Sequence, residues 1–140
     1  MPKLLDHTSD LYIEGRGRTL GDAIVDVARG MVIEKIHSLP NPSLINRLPK
    51  HSFCCIKNEE DDKDIFVITT LQKVLEYEET NYKTIADISL KSFDENPFRI
   101  SLTIEYVDYP PSPLIKAVTY HALKLIRKED EWIIRVLFDI

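Results

Sequence analysis

The chain has 140 residues, of which 44% are apolar and 29% charged, and it carries a formal net charge of −5. These values match one globular domain, spanning 1–140, that can bury a single core; they exclude wholesale disorder. No apolar run approaches the roughly 20 residues of a membrane span, and the negative balance argues against unaided binding along nucleic acid, although a local basic patch is a separate matter. The two cysteines, Cys54 and Cys55, are adjacent, and the N-terminus reaches Asp6 before a signal-peptide apolar region could form. A reduced, cytoplasmic setting without membrane attachment is therefore expected.

In chain order, Leu11-Tyr12-Ile13-Glu14 reads as a short strand closed by a Gly15-Arg16-Gly17-Arg18 turn. Thr19 is a candidate N-cap with Asp22 in capping-box position. Leu20, Ile24, Val27, Ala28 and Met31 then recur at helical spacing, predicting a helix to about Ile36 that stops before Pro40. Phe53-Cys54-Cys55-Ile56-Lys57 predicts a strand. The acidic run Glu59-Glu60-Asp61-Asp62 is expected to open a second helix, where carboxylates complement the helix dipole. Ile65, Ile68, Leu71 and Leu75 would line its buried side, against the β-branched Ile68-Thr69-Thr70.

After this helix the period changes. The segments 85–91 and 99–105 largely alternate, with turn residues Asp94-Glu95-Asn96-Pro97 between them, and so predict a hairpin. Beyond Pro110-Pro111-Ser112-Pro113, the segments 115–121 and 132–140 predict a second hairpin. The expected fold class is α+β, with two helices packed on a largely antiparallel β-sheet in two layers.

Signatures of catalysis are sparse. Gly15-Arg16-Gly17 lacks the third glycine of a dinucleotide fingerprint, and a tight turn exploiting glycine's freedom in φ is the simpler reading. The cysteines lack zinc or redox spacing. His37 and His51 flank a proline-rich loop, where solvated surface is the default. His121 ends a predicted strand, and His7 lies in the polar run Asp6-His7-Thr8-Ser9-Asp10, which by itself reads as a turn or cap. The C-terminus is more telling. Trp132, Ile134, Val136, Phe138 and Ile140 fall on one alternating face, which predicts a packed strand running to the last residue. The Asp139 carboxylate and an α-carboxylate on Ile140 would then sit close together, and a buried pair of this kind needs a cation.

His7-Thr8-Ser9-Asp10, Lys116-Ala117-Val118-Thr119-Tyr120-His121 and the ending Trp132 through Phe138-Asp139-Ile140 together resemble the archease family, in order and spacing as well as in composition. The resemblance implies an accessory protein rather than an enzyme. Archeases activate the GTP-dependent tRNA-splicing ligase, promoting guanylylation of its active-site histidine and repeated turnover as RNA halves are joined. The implied partner is that ligase, with tRNA associated only indirectly. The implied metal site comprises Asp10, Asp139 and Ile140, and Lys116 is the implied contact to ligase, nucleotide or phosphate, with His7 and His121 as further candidates. Three anionic oxygen donors suit a hard divalent cation, Ca²⁺ first, with Mg²⁺ or Mn²⁺ as alternatives. The segment 108–113 and the β-branched, polar segment 64–79 depart from the family pattern.

Two other readings compete. A small metal-dependent phosphoesterase or hydrolase would use Asp10, His7 and His121 around a cation with an open coordination position. A chaperone-like modulator of RNA-processing enzymes would act through surface contact alone.

Overall fold

In the computed structural model, which describes residues 2–5 and 10–140, the elements follow as β1 (Lys3–Leu5), β2 (Asp10–Gly17), α1 (Leu20–His37), β3 (His51–Glu60), α2 (Lys63–Asn81), β4 (Thr84–Asp94), β5 (Phe98–Val107), β6 (Ala117–Lys128) and β7 (Glu131–Asp139). A short 3-10 turn, Pro42–Asn46, joins α1 to β3.

Helix α1 begins as its capping residues dictate. Thr19 Oγ1 accepts the Asp22 N–H at 3.1 Å and donates to Asp22 Oδ2 at 3.0 Å. The stripe from Leu20 to Met31 is fully buried, but so are Val25, Val32 and Lys35. A helix lying on one layer buries a single stripe; α1 is covered more widely because it touches β2 and β7 on one side and β4 on another.

The glycine turn expected at 15–18 does not form. Strand β2 continues through Gly17, and none of the described glycines has a positive φ. These glycines serve close approach instead. A Cβ on Gly15 would lie 2.5 Å from Val27 Cγ2, and one on Gly17 would lie 2.4 Å from Asp22 Cβ. Their missing side chains let α1 rest on β2.

The acidic run divides between elements. Glu59 and Glu60 end β3, and Asp62 caps α2 by accepting the Ile65 N–H at 2.9 Å. Ile65, expected inside, is 39% exposed, while Phe66, Val67, Leu71 and Val74 are buried. The buried arc is displaced because α2 packs between β3 and β5 on one side and β6 on the other. Thr69 and Thr70 are tolerated because their hydroxyls bond back to Ile65 O and Phe66 O, each at 2.7 Å.

The α+β class holds, with two helices on antiparallel strands. The strands fall into two sheets rather than one, ordered β1-β2-β7-β6 and β3-β5-β4. Between β5 and β6 the chain runs through Pro110, Pro111 and Pro113, which have no N–H with which to extend a ladder. One apolar cluster, including Ile13, Ile24, Phe66, Leu71, Ile104 and Phe138, joins both sheets and both helices. No helix among the described residues is long and apolar enough to cross a membrane.

The second hairpin is longer than expected. Thr119 pairs with Leu137 and Lys124 with Arg135, so the four residues 120–123 lie opposite Val136 alone. This wide bulge carries Ala122 at φ 59. In β7, Trp132, Ile134, Val136 and Phe138 face the helices as their alternation requires, while Ile133 and Leu137 are buried on the opposite face. Ile140 lies past the end of β7 and is 38% exposed, so the packed strand stops one residue short of the expectation.

Candidate functional site

Three strands converge at the end of the four-stranded sheet. Asp10 opens β2, Asp139 closes β7 and Ala117 opens β6, and the three are register partners in a single row. The Lys116 N–H donates to Asp139 O at 2.7 Å, which holds that corner together. The next row, Leu11, Phe138 and Val118, turns toward the helices, with Phe138 fully buried. Asp10 and Asp139 therefore project from the outer face, side by side.

Directly opposed residues of an antiparallel pair have Cβ atoms about 4.5–5.5 Å apart, where like charges repel. A cation between them would turn that repulsion into cohesion. Asp139 is exposed and Asp10 partly so. The site is thus open to solvent, and the register of the two aspartates, not burial of the terminus, is what recommends it. Two carboxylates in register fit a hard oxygen-seeking cation. No group of three or more His, Cys, Asp or Glu side chains gathers among the described residues; the set in question has two such side chains.

The other sequence-derived candidates are more scattered. Lys116 is exposed beside the aspartate row, and His121 is exposed within the β6 bulge, next to Tyr120. His7 lies outside the described residues. The bulge is tethered to the same face as Asp10, since the Tyr12 hydroxyl donates to Ala122 O at 2.6 Å.

Further along this face, Glu14 is only 2% exposed yet ionically held, with Arg135 Nε at 2.9 Å and Arg16 Nε at 3.2 Å. Burial works to raise its pKa, but Arg135 and Arg16 together outweigh burial and leave the carboxyl below its ordinary value. The period-two series Asp10, Tyr12, Glu14, Arg16 was the sequence signal for this polar face. A second hidden pair, Lys35 with Glu78, ties α1 to α2, and Glu78 Oε2 also accepts the Ile85 N–H at 2.7 Å. Burial raises the Glu78 carboxyl above its usual range, against the opposing pull of Lys35. No sequence pattern foretold this pair.

Comparison with known proteins places the whole chain. The profile of the Archease protein family matches residues 3–140. "Protein archease" of Thermococcus gammatolerans is 21% identical over 142 residues, covering 96% of this chain and 95% of that protein. The solution structure of protein 1598 from Methanobacterium thermoautotrophicum superimposes with a TM-score of 0.69 at 18% identity, over 99% of this chain and 98% of that one. The crystal structure described as an archease, possible chaperone, from Thermotoga maritima gives 0.66 at 21% identity, over 100% and 98%. With a family match over nearly its full length, this chain belongs to the archease family.

Proposed function

We propose that this protein is a metal-binding accessory factor that activates the GTP-dependent tRNA-splicing ligase, promoting its guanylylation and multiple turnover. Family membership supports an accessory rather than catalytic role, as does the chaperone description of the Thermotoga maritima relative. One observation carries the metal part of the reading: Asp10 and Asp139 occupy directly opposed positions on the same face. In a chain ending at Ile140, its α-carboxylate would be the third anionic group. A divalent cation held there supplies positive charge that oxygen atoms of a partner or nucleotide can approach.

The protein's own residues frame that point. The β2–β7 ladder sets the spacing of the aspartates, the Lys116 N–H fixes the Asp139 main chain, and the exposed Lys116 side chain offers a second positive charge nearby. The test is ligase guanylylation from GTP, with and without this protein, in EDTA or in Ca²⁺, Mg²⁺ or Mn²⁺. Metal-dependent stimulation that Asp139→Ala, or one residue added after Ile140, removes is the expected result. Equal guanylylation and turnover with and without the protein would refute ligase activation, and unchanged Ca²⁺ affinity of both variants by calorimetry would refute the metal site.

A further inference from the structure

The edge of a β-sheet is a row of main-chain donors and acceptors that another strand can pair with unless the protein blunts it. Among the described residues there are four such edges, β1 and β6 in one sheet, β3 and β4 in the other. Three of them are blunted. Strand β1 is only three residues long. On β6 the Val118 N–H donates to Gln72 Oε1 at 3.3 Å, and the excursion at 120–123 interrupts the edge just beyond. On β4 the Ile88 N–H donates to Asp87 Oδ1 at 2.9 Å, while Ile88 O accepts from Arg29 Nε at 2.8 Å.

Strand β3 differs. Its one irregularity lies between Cys54 and Ile56, and from Ile56 to Glu60 it pairs with β5 in unbroken register. Among the described residues, no side chain and no segment other than β5 bonds the main chain of this stretch. Room for a further strand is present: a hollow of about 670 Å³ follows the stretch, lined by Lys57, Asn58, Glu59 and Glu60 and, from α2, by Thr69 and Lys73.

The charges identify the strand that fits. Asp94, Arg99 and Glu59 are successive register partners on β4, β5 and β3, and Glu59 Oε1 accepts from Arg99 Nε at 2.7 Å. The signs run negative, positive, negative, so the next position outward favours a cation. Two residues back along β3, Lys57 is exposed on the same face, and its own row continues only into Ser101 and Ser92. A second copy of β3, antiparallel and centred on Asn58, sets its Lys57 opposite Glu59 and its Glu59 opposite Lys57, so both rows are completed at once. The remaining pairs, Asn58 with itself and Ile56 with Glu60, oppose no like charges. Centring on Lys57 or on Glu59 would set that charge against itself, and half-step registers would set the exposed face of one strand beside the buried face of the other.

We infer that this protein associates through β3 into a two-fold dimer in which the two three-stranded sheets become continuous, held by main-chain bonds along Ile56 to Glu60 and by two Lys57–Glu59 pairs. The contact is isologous, as a two-fold axis requires. It needs neither a metal nor the ligase, and the aspartate corner lies on the other sheet.

Sedimentation equilibrium of the full chain from about 5 to 500 µM, the range suited to a small interface, should show the mass rise from 16.2 kDa toward twice that value. Lys57→Glu and Glu59→Lys each set like charges opposite one another twice, and each should weaken association about tenfold or more. Mixed in equal amounts, these two variants oppose unlike charges at both positions and should associate with each other to within about threefold of the parent. Lys124→Glu, on the other sheet, should change nothing. Circular dichroism would confirm that each variant is folded, and Lys57→Gln and Glu59→Gln, each expected to cost about threefold, serve if the charge reversals are not.

A parent that stays monomeric at the highest concentration would overturn the inference and leave the edge to a strand of another protein. Association that Lys57→Glu leaves unchanged would also overturn it, as would a mixture of the two variants that stays monomeric. Equal loss in Lys124→Glu would do the same, by placing the contact on the four-stranded sheet.

Discussion

Replacing Lys35 with methionine isolates the least visible interaction in the structure. Lys35 and Glu78 are each 3% exposed, so Lys35→Met leaves a carboxylate inside the protein with the Ile85 N–H, at 2.7 Å, as its remaining described donor. Breaking one side of a buried ion pair costs about 3–5 kcal/mol, which for a chain of this size lowers Tm by roughly 10–20 °C. The pH dependence has a definite sign. Glu78 titrates above its ordinary value because burial disfavours its charge. A carboxyl raised in the folded state contributes stability that is full below its unfolded value, about 4.3, and is lost as pH rises through the folded value. Removing Lys35 raises that folded value further, so the deficit of Lys35→Met should be small near pH 5 and largest above pH 7. Urea unfolding of the parent, Lys35→Met and the double variant Lys35→Met/Glu78→Leu, at both pH values, checks this. The double variant should recover most of the loss, since an apolar pair can replace a buried ionic one. A deficit under about 1 kcal/mol above pH 7 would refute the reasoning, as would one identical at both pH values.

Three further outcomes follow from the geometry. Gly17→Ala places a Cβ 2.4 Å from Asp22 Cβ and 2.6 Å from the Ala23 nitrogen; because backbone must move, thermal unfolding should show a loss of about 1–3 kcal/mol. Asp139→Asn should raise stability in EDTA by about 0.2–1 kcal/mol, by relieving repulsion from Asp10, and should abolish any stabilisation by Ca²⁺; a parent protein whose Tm does not respond to Ca²⁺ would contradict the second part. Glu14, held below its ordinary value by Arg135 and Arg16 against burial, contributes stability that is present above the unfolded carboxyl value and lost as pH falls through the folded one. Glu14→Gln should therefore be less stable than the parent at pH 7, and the gap should close toward pH 3 in denaturant titrations.

Local signals were legible where local physics decides. Thr19 and Asp22 announced the start of α1, the apolar period from Leu20 to Met31 announced its buried side, and Asp94 to Pro97 marked the β4–β5 hairpin. Errors arose where a long-range neighbour set the outcome. Gly15 and Gly17 read as a turn because a sequence does not show the helix that will lie against them. Ile65 read as core because the arc of α2 that is covered depends on two sheets at once. The β6 bulge left no periodic trace, since a four-residue excursion looks like any irregular run.

The candidate site divides along the same line. Asp10, Asp139, Ile140 and Lys116 stood out through motif resemblance and position. The juxtaposition of Asp10 with Asp139 is a matter of strand register, and the Lys116 N–H joins that corner only because Ala117 opens β6 opposite Asp139. By itself, the order of residues determined the capped helices, the alternating strands and the family. Only the tertiary structure decided that the described strands divide into two sheets, that Lys35 meets Glu78, and that the first strand residue of β2 faces the last of β7. The physical reason is range: capping and periodicity act within a few residues, whereas register and buried charge pairing arise when segments more than a hundred residues apart in the chain, or on different helices, compete for the same core.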